Sequence, residues 1–265
     1  MNYRKQRVKS VQLETWTSPE VKNHVNKNGL AIIPLGSFEQ HGPHAPLGTD
    51  TFISLEVSKR LAKTLDSLVL PPIWYGISNE HMDFAGTITI SPETLTNLIV
   101  DVVVSLMASG FTRFLIINGH AGNIHYFNLI KEKLYQKASR KTELLIVSYW
   151  DELPEKERNK LSSLEWGLHA NEFETSIISA IFPGMVKKLK DIRNFPDISA
   201  INNQVINEKT FRCLIKDSNG VWGDPEQASV KKGRTLLNTI ELTLSNYLIQ
   251  ALKIKNPKVK RNVSN

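Results

Sequence analysis

The sequence predicts an α/β protein in which helices cover both faces of a mostly parallel sheet. Short apolar runs of strand length alternate along the chain with longer segments whose apolar residues recur near helical spacing. The apolar runs are nearly continuous, as is typical of strands that are buried on both faces. No linker-like change in composition interrupts residues 11–252, so a single domain is predicted there.

The first half of the chain supplies two of the clearest elements. The first strand is predicted at residues 30–35, where the sequence reads LAIIPL. Residues 51–65 place apolar side chains near helical spacing and are predicted to be a helix. Residues 68–76 and 86–91 are predicted to be extended segments.

The second half begins with a helix whose start is marked in the sequence. Ser91 is a good N-cap and Pro92 suits the first helical position, while Gly110 marks the end. The remaining strands are predicted at 113–119, 143–150 and 185–189. The remaining helices are predicted at 124–138, 152–163, 171–182 and 226–252.

The net charge of +7 comes from the two ends of the chain. Residues 1–10 and 253–265 hold nine lysines and arginines and no acid, which leaves residues 11–252 with a charge of −2. We therefore predict a basic N-terminal tail at 1–10, one domain at 11–252 and a basic C-terminal tail at 253–265. The domain has no basic stripe interleaved with aromatic residues, so no nucleic-acid partner is expected.

Cys213 is the only cysteine in the sequence, which rules out an intramolecular disulfide and a thiolate zinc cluster. Any metal ion must therefore be held by His, Asp and Glu side chains. No run of 18 apolar residues is present, and the first ten residues lack the apolar segment of a secretory signal. We expect a cytoplasmic protein with no membrane partner.

Polar residues suited to metal binding follow the predicted strand at 30–35. Glu39 and His41 are two residues apart, so an extended backbone directs both side chains the same way. Asp50 lies nine residues after His41, and the glycines and prolines between them allow the chain to bend back. Functional groups collect at the carboxyl ends of parallel strands, and these three residues are predicted to lie there.

Two further clusters have the same character. His120, in the segment NGHAGN, directly follows the predicted strand at 113–119. His169 is predicted to precede the helix at 171–182, with Glu174 in the first turn of that helix. Asn171 and Glu174 also have the spacing of a capping box, which explains Glu174 without a metal. On spacing alone the two roles of Glu174 remain equally open.

Together, five residues supply three carboxylates and two imidazoles, namely Glu39, His41, Asp50, His120 and Glu174. This set suits two adjacent divalent metal ions bridged by a carboxylate and a hydroxide. The hypothesis requires Asp50 and His120 to lie within about 10 Å of each other, because metal–ligand bonds are roughly 2 Å long. The motifs of serine hydrolases, dinucleotide-binding folds and phosphate-binding loops do not occur in the sequence.

Five segments resemble, in order, the signature blocks of the creatininase family. They are ExHGxHxPxxTD at 39–50, GISNEHMDFAGT at 76–87, NGHAGN at 118–123, HANEFETS at 169–176 and GVWGDPEQAS at 220–229. The resemblance implies a three-layer α/β/α fold and a homo-oligomer, commonly a hexamer. It also implies a dinuclear metal centre that cleaves amide bonds other than ordinary peptide links, including cyclic amides and formamides, of a small-molecule substrate.

Position by position, the resemblance implies that Glu39, Asp50 and His120 hold one metal ion. It implies that His41, Asp50 and a later glutamate hold the second, with Asp50 bridging the two. Zn²⁺ is the expected ion, with Mn²⁺ or Fe²⁺ as alternatives at one site. His169 matches the catalytic histidine of the family and is expected to protonate the departing nitrogen after attack by the metal-bridged hydroxide.

The sequence departs from creatininase proper at one ligand position. The second glutamate of that enzyme stands two residues after the NGH histidine, where this chain has Gly122. Glu174 is our expected replacement, and creatinine is in doubt as the substrate. The alternatives are a peptidase or a ring-ketone hydrolase on the same scaffold, or a family member that binds a ligand without catalysis.

Three other polar residues in these blocks are expected to have roles other than metal binding. His44 is expected to orient a ligand from behind rather than to bind metal itself. Glu80 and His81 fit loop anchoring and substrate contact equally well.

Overall fold

A computed structural model describes residues 10–138, 141–162, 167–194, 219–254 and 257. Within these ranges the α-helices are α1 (Ser18–Val25), α2 (Thr49–Leu65), α3 (Pro92–Ala108), α4 (Phe127–Lys137), α5 (Glu155–Ser162), α6 (Glu172–Ile181) and α7 (Val230–Ala251). The strands are β1 (Leu30–Leu35), β2 (Leu68–Val69), β3 (Arg113–Asn118), β4 (Glu143–Ser148), β5 (Gly167–His169) and β6 (Trp222–Gly223). Short 3₁₀ helices lie at Leu13–Thr15, Asn79–His81, Ala121–Tyr126 and Pro225–Gln227.

The main sheet has four parallel strands in the order β2-β1-β3-β4. The strands are connected through helices, as parallel neighbours require. A separate antiparallel pair is formed by β5 and β6. The predicted parallel sheet is therefore confirmed.

The apolar residues of the sheet pack against helices on both faces. In β1, Leu30 and Ile32 belong to a core that includes side chains of α2, α6 and α7. Ala31 and Ile33 belong to a second core, on the opposite face, with side chains of α3 and α4. This division follows from the two-residue period of a strand. The predicted three-layer α/β/α fold is confirmed.

The start of α3 agrees with its sequence signal. The Ser91 side chain accepts a hydrogen bond of 3.1 Å from the Thr94 backbone N–H, and Pro92 is the first helical residue. The cap therefore satisfies one of the N–H groups that have no partner within a helix.

Two predicted extended segments differ from the structure. In residues 68–76 only the first two form a strand, because Pro71 and Pro72 have no N–H to donate to a sheet ladder. The strand predicted at 185–189 is wrong. Met185 and Leu189 are exposed in that segment, which lies in turns and irregular structure.

Most of both predicted basic tails lies outside the described residues, and the division into one domain and two tails stays a prediction. In the described part of the chain, no helix combines the length and apolar composition needed to cross a bilayer.

Candidate metal centre

The carboxyl ends of β1, β3 and β4 lie level at one edge of the sheet. Leu35 is paired with Asn118, and Asn118 with Ser148. The Gly119 N–H donates to the Leu35 carbonyl over 2.8 Å. The loop after β1 and the loop after β3 therefore begin side by side, as the sequence predicts for Glu39 and His120.

The two asparagines of the NGHAGN segment hold these loops together. Asn118 Nδ2 donates to the backbone carbonyl of His120 over 2.7 Å. Asn123 Nδ2 donates to the Gly36 carbonyl over 3.0 Å, and Asn123 Oδ1 accepts from the Ile77 N–H over 3.1 Å. Both asparagines are fully buried. Three separate segments are thus tied to one another around His120.

Glu39, Asp50 and His120 form the first group of candidate ligands. His120 Nδ1 lies 3.3 Å from Glu39 Oε1 and 3.2 Å from Asp50 Oδ2. All three residues are buried. Glu39 comes from the loop after β1, Asp50 from the first turn of α2 and His120 from the end of β3. The predicted approach of Asp50 to His120 is therefore met.

The hydrogen bonds of His120 leave a nitrogen lone pair facing two carboxylates. His120 Nε2 lies 2.8 Å from the Ile77 carbonyl, which can only accept, so Nε2 carries the hydrogen. Nδ1 then points at Glu39 Oε1 and Asp50 Oδ2, and neither oxygen receives a hydrogen bond from the described residues. Either a second proton on the ring or a cation must lie between these atoms.

His41 presents the same pattern on the other side of Asp50. Its Nδ1 donates to the Glu39 carbonyl over 3.2 Å, which leaves Nε2 to face Asp50 Oδ1 at 3.1 Å. Burial lowers the pKa of His41, but the charge of Asp50 outweighs it and raises the pKa to about 9. Asp50 thus directs one oxygen to each imidazole, the arrangement expected of a carboxylate that bridges two metal ions.

The position of Glu174 is compatible with both of the roles that the sequence left open. Its backbone N–H donates to Asn171 Oδ1 over 3.0 Å, and its Oε2 lies 3.5 Å from the Asn171 N–H, which completes the capping box. Its other oxygen, Oε1, lies 4.0 Å from His41 Nε2. Burial raises the pKa of Glu174 to about 7. A helix cap and a metal ligand are therefore compatible, because each uses a different oxygen.

His169 precedes α6, as predicted, and lies over the same cluster. Its Nε2 donates to the Gln40 carbonyl over 2.8 Å, and its Nδ1 lies 3.6 Å from Glu39 Oε1. The ring is 4.4 Å from that of His41, centroid to centroid. His169 is thus within reach of a substrate held beside the candidate ligands.

Three further residues lie at the site, of which Ser78 and Gln40 were not assigned to it from the sequence and His81 was left between loop anchoring and substrate contact. His81 is buried, stacks on His169 with ring centroids 4.3 Å apart, and has its Nε2 3.4 Å from Glu39 Oε1. Ser78 donates from its hydroxyl to Glu39 Oε2 and contacts Ser37. Gln40 lies between His81 and His169. Ser78 and His81 belong to the segment GISNEHMDFAGT at 76–87, which the sequence analysis singled out, but only the fold shows which residues they contact.

His44 lies behind the site rather than among the candidate ligands. Its Nε2 is 2.9 Å from Thr175 Oγ1, on the helix that carries Glu174. Burial, together with the charge of His41, lowers the pKa of His44 to about 4. Its expected orienting role stays a prediction.

The donor set fits two divalent metal ions. One group within mutual reach consists of Glu39, Asp50 and His120, and a second of His41, His169 and Glu174, with all ligand atoms of a group within 4.8 Å of one another. Nitrogen and carboxylate oxygen are the ligands that Zn²⁺ and Mn²⁺ accept. The buried atoms that lack hydrogen bonds from the described residues include Glu39 Oε1, His41 Nε2 and Asp50 Oδ2. These are the atoms that metal binding would satisfy.

We expect the metal-free protein to lose stability as the pH rises from about 6.5 to about 9. The pKa of His41 is raised to about 9, and that of His120 well above its usual value, because the charges of nearby carboxylates outweigh burial. A raised pKa stabilises the fold below the unfolded value, about 6.5, and this contribution is lost as the pH rises through the folded value. The opposite sign applies only below pH 6.5, for the groups with lowered pKa, which are His44, His81, His169 and Glu39.

The measurement is the melting temperature of chelator-treated protein at pH 6.5 and pH 9. A fall on the order of 2 kcal/mol, or roughly 4–8 °C, is expected. The zinc-loaded protein is the control and should not show this fall, because metal ions bind the deprotonated imidazoles. A metal-free protein that is equally stable at both pH values would contradict the proposed proton positions.

Residues 14–248 match the family described as creatininase, creatinine amidohydrolase. The chain is 29% identical over 188 residues to a 3-dehydro-scyllo-inosose hydrolase of Thermotoga maritima, an alignment that covers 67% of this chain and 58% of that protein. It is 31% identical over 214 residues to a mycofactocin precursor peptide peptidase of Mycobacterium ulcerans, covering 77% and 78% of the two chains. Less than two thirds of the Thermotoga protein is therefore matched.

Solved creatininases share the fold. A crystal structure of creatinine amidohydrolase has a TM-score of 0.79 and 24% identity, and the match covers 92% of this chain and 98% of that one. Similar structures at 23% identity include a mutant creatininase of Zn–Zn type, with a TM-score of 0.75, and a creatininase with Mn, with a TM-score of 0.76.

Proposed function

This chain belongs to the creatininase family, and we propose that it is a hydrolase that uses two divalent metal ions to cleave a non-peptide C–N bond of a small molecule. The proposed bond is of the cyclic amide or formamide type. The proposed ligands are Glu39, Asp50 and His120 for one ion and His41, Asp50 and Glu174 for the other. Zn²⁺ is the first candidate, with Mn²⁺ or Fe²⁺ as alternatives at one site.

The observation that carries this proposal is the position of Asp50. One of its oxygens lies 3.1 Å from His41 Nε2, and the other lies 3.2 Å from His120 Nδ1. Both imidazoles have their other nitrogen bonded to a backbone carbonyl, of Glu39 and Ile77 respectively. Such partners orient metal-binding histidines and select the nitrogen that is free to bind.

When bound, two divalent ions lower the pKa of a coordinated water towards about 7 and polarise the carbonyl of the substrate.

The proposed role of His169 is to transfer a proton to the departing nitrogen. Burial and the imidazoles of His81 and His41 lower the pKa of His169 well below its usual value, so the ring is neutral at neutral pH. Because the hydrogen of Nε2 is donated to the Gln40 carbonyl, Nδ1 has the lone pair. Nδ1 can therefore take up a proton early in the reaction and deliver it to the departing nitrogen.

Gly122, which stands where creatininase proper has its second glutamate ligand, also bears on the choice of substrate. A β-carbon at Gly122 would lie 2.3 Å from the Ile77 carbonyl oxygen and 2.5 Å from His120 Nε2. A glutamate could not stand there unless the carbonyl that orients His120 moved. This supports Glu174 as the replacement ligand and a substrate other than creatinine.

We expect Glu174→Gln to weaken one metal site while leaving α6 intact. Glutamine can still accept the hydrogen bond of a capping box, but it lacks the carboxylate charge beside His41. Metal content measured by mass spectrometry should fall from about two ions per chain towards one. Glu172→Gln is the matched control, since Glu172 lies in the same turn and pairs with Lys232. A variant that still holds two ions would leave Glu174 with the cap as its only role.

The function itself is tested with metal-loaded protein on a panel of a cyclic amide, a formamide, a short peptide and a cyclic ketone. We expect hydrolysis of one of the two non-peptide amides by protein that holds about two ions per chain. Less than about one tightly bound ion per chain, with no turnover on the panel, would favour a protein that only binds a ligand.

A peptidase is the second candidate. The observation that favours it is the 31% identity to a mycofactocin precursor peptide peptidase, which extends over 77% of this chain. The peptide in the panel separates this candidate from the first.

The cellular location, assembly state and partners of the enzyme are also proposals. We propose a cytoplasmic homo-oligomer, a hexamer by resemblance to the family, which acts without a nucleic-acid or membrane partner. Light scattering on the purified full chain tests the assembly.

A further inference from the structure

The side chain of Gln40 has only one possible orientation at the site. Gln40 Oε1 accepts a hydrogen bond of 2.8 Å from the Gly42 N–H, so the other end of the amide, Nε2, must be the donor. The residue is buried, and its own N–H donates to Thr87 Oγ1 over 3.1 Å. A β-carbon at Gly220 would lie 1.9 Å from Gln40 Oε1, so the backbone at Gly220 packs directly against the amide.

Two imidazole nitrogens lie within hydrogen-bond distance of this donor. Gln40 Nε2 is 2.9 Å from His81 Nδ1 and 2.9 Å from His169 Nε2. His169 Nε2 is also 2.8 Å from the Gln40 carbonyl, which can only accept. His169 Nε2 therefore carries a hydrogen and cannot accept one from the amide. The acceptor of the Gln40 amide must be His81 Nδ1.

The position of the hydrogen on His81 then follows. If Nδ1 accepts, a neutral His81 ring carries its hydrogen on Nε2, which faces Glu39 Oε1 at 3.4 Å. A nitrogen that carries a hydrogen has no lone pair for a metal ion. The group formed by Glu39, His81 and His169 is therefore not a third metal site, although its ligand atoms lie within 4.8 Å of one another.

We propose that Gln40 is a positioning residue that fixes which nitrogen carries the hydrogen in two neighbouring histidines. Its side-chain amide holds the His81 ring with the hydrogen on Nε2, the nitrogen that faces the candidate ligand Glu39. Its backbone carbonyl holds His169 with a free Nδ1 for proton transfer. The assignment of hydrogens rests on the contacts alone, whereas its effect on turnover rests on the proposed function.

Histidine-selective ¹⁵N labelling and magic-angle-spinning NMR of the zinc-loaded full chain test the assignment. The sequence has seven histidines, and a His81→Asn sample identifies the His81 signals. In the native protein, His81 Nδ1 should have the shift of an unprotonated nitrogen and Nε2 that of a protonated one. In Gln40→Glu the side chain can no longer donate to His81, so His81 Nδ1 should become protonated.

Turnover on whichever substrate the panel identifies is the second readout. Gln40→Glu should lower kcat about 10–100-fold, the usual effect of disturbing the outer hydrogen bonds around a metal site, while about two ions per chain are retained. Gln136→Glu, the same change on an exposed position of α4, is the control and should leave both readouts unchanged. If Gln40→Glu does not fold, Gln40→Met replaces it. Methionine cannot donate a hydrogen bond to His81 Nδ1, so the His81 signals should show a mixture of rings protonated on Nδ1 and rings protonated on Nε2.

The proposal is overturned if His81 Nδ1 is protonated in the native protein, or if neither Gln40 variant changes the His81 shifts. A protein that hydrolyses nothing on the panel but shows the predicted His81 ¹⁵N shifts would contradict the proposed function and leave the positioning role of Gln40 intact. The two proposals can therefore fail separately.

Discussion

Asp50→Asn is expected to abolish binding of both metal ions and nearly all activity. Asparagine keeps the shape of the side chain but replaces one carboxylate oxygen by an NH₂ group, which cannot bind a cation. Because Asp50 directs one oxygen towards His41 and the other towards His120, a single substitution disrupts both groups of ligands. Metal content should fall from about two ions per chain to below one, and kcat/KM should fall at least ~10³-fold, equivalent to about 4 kcal/mol of barrier.

The control for Asp50→Asn is Asp101→Asn, on the outer face of α3. Asp101 is exposed and forms a surface pair of 3.6 Å with Lys137. Exposed pairs of this kind contribute little to stability, so metal content and activity should stay at the native level. If Asp50→Asn retains two ions per chain, Asp50 does not bridge them and the proposed centre is wrong.

His169→Ala should separate catalysis from metal binding. The variant loses the nitrogen that is expected to carry a proton to the departing nitrogen of the substrate. General acid–base catalysis typically contributes 10²–10⁴-fold, and a fall on the order of 10²–10⁴ in kcat is therefore expected. Metal content should remain at about two ions per chain, because His41 and Glu174 stay in place.

The opposite outcome for His169→Ala has a specific meaning. The side chains of His41, His169 and Glu174 are close enough to share an ion. Loss of a metal ion together with activity would therefore make His169 a ligand rather than a proton carrier. His125→Ala, an exposed imidazole in the 3₁₀ helix Ala121–Tyr126, is the control and should retain full activity.

Much of the candidate site could be predicted because its residues follow strands. Glu39 and His120 come soon after β1 and β3, and the ends of parallel strands meet at one edge of a sheet. Ser78, which sequence reasoning missed, and His81, whose role it left open, do not directly follow a strand of the main sheet. Ser78 and His81 come from a loop with little regular pairing, so their contact with Glu39 depends on how that loop folds back across the sheet edge.

The strand wrongly predicted at 185–189 shows a second limit of prediction from sequence. A short run such as MVKKL is a local signal, but a strand forms only where a neighbour can pair with it. The Lys187 backbone N–H donates instead to the backbone carbonyl of His44 over 2.8 Å. The partner of a short segment is a property of the whole fold and cannot be obtained from the segment itself.

The amino-acid sequence by itself determined the layers of the fold and the chemical types of the candidate ligands, because apolar period and residue identity are local properties. Only the tertiary structure decided which atom of each side chain faces which partner. The two oxygens of Asp50 and of Glu174 differ only in what surrounds them, and the hydrogen-bond partners of each imidazole set which of its two nitrogens carries the hydrogen. Those surroundings are backbone carbonyls and amides from distant segments, such as Ile77 beside His120, and they come together only when the chain is folded.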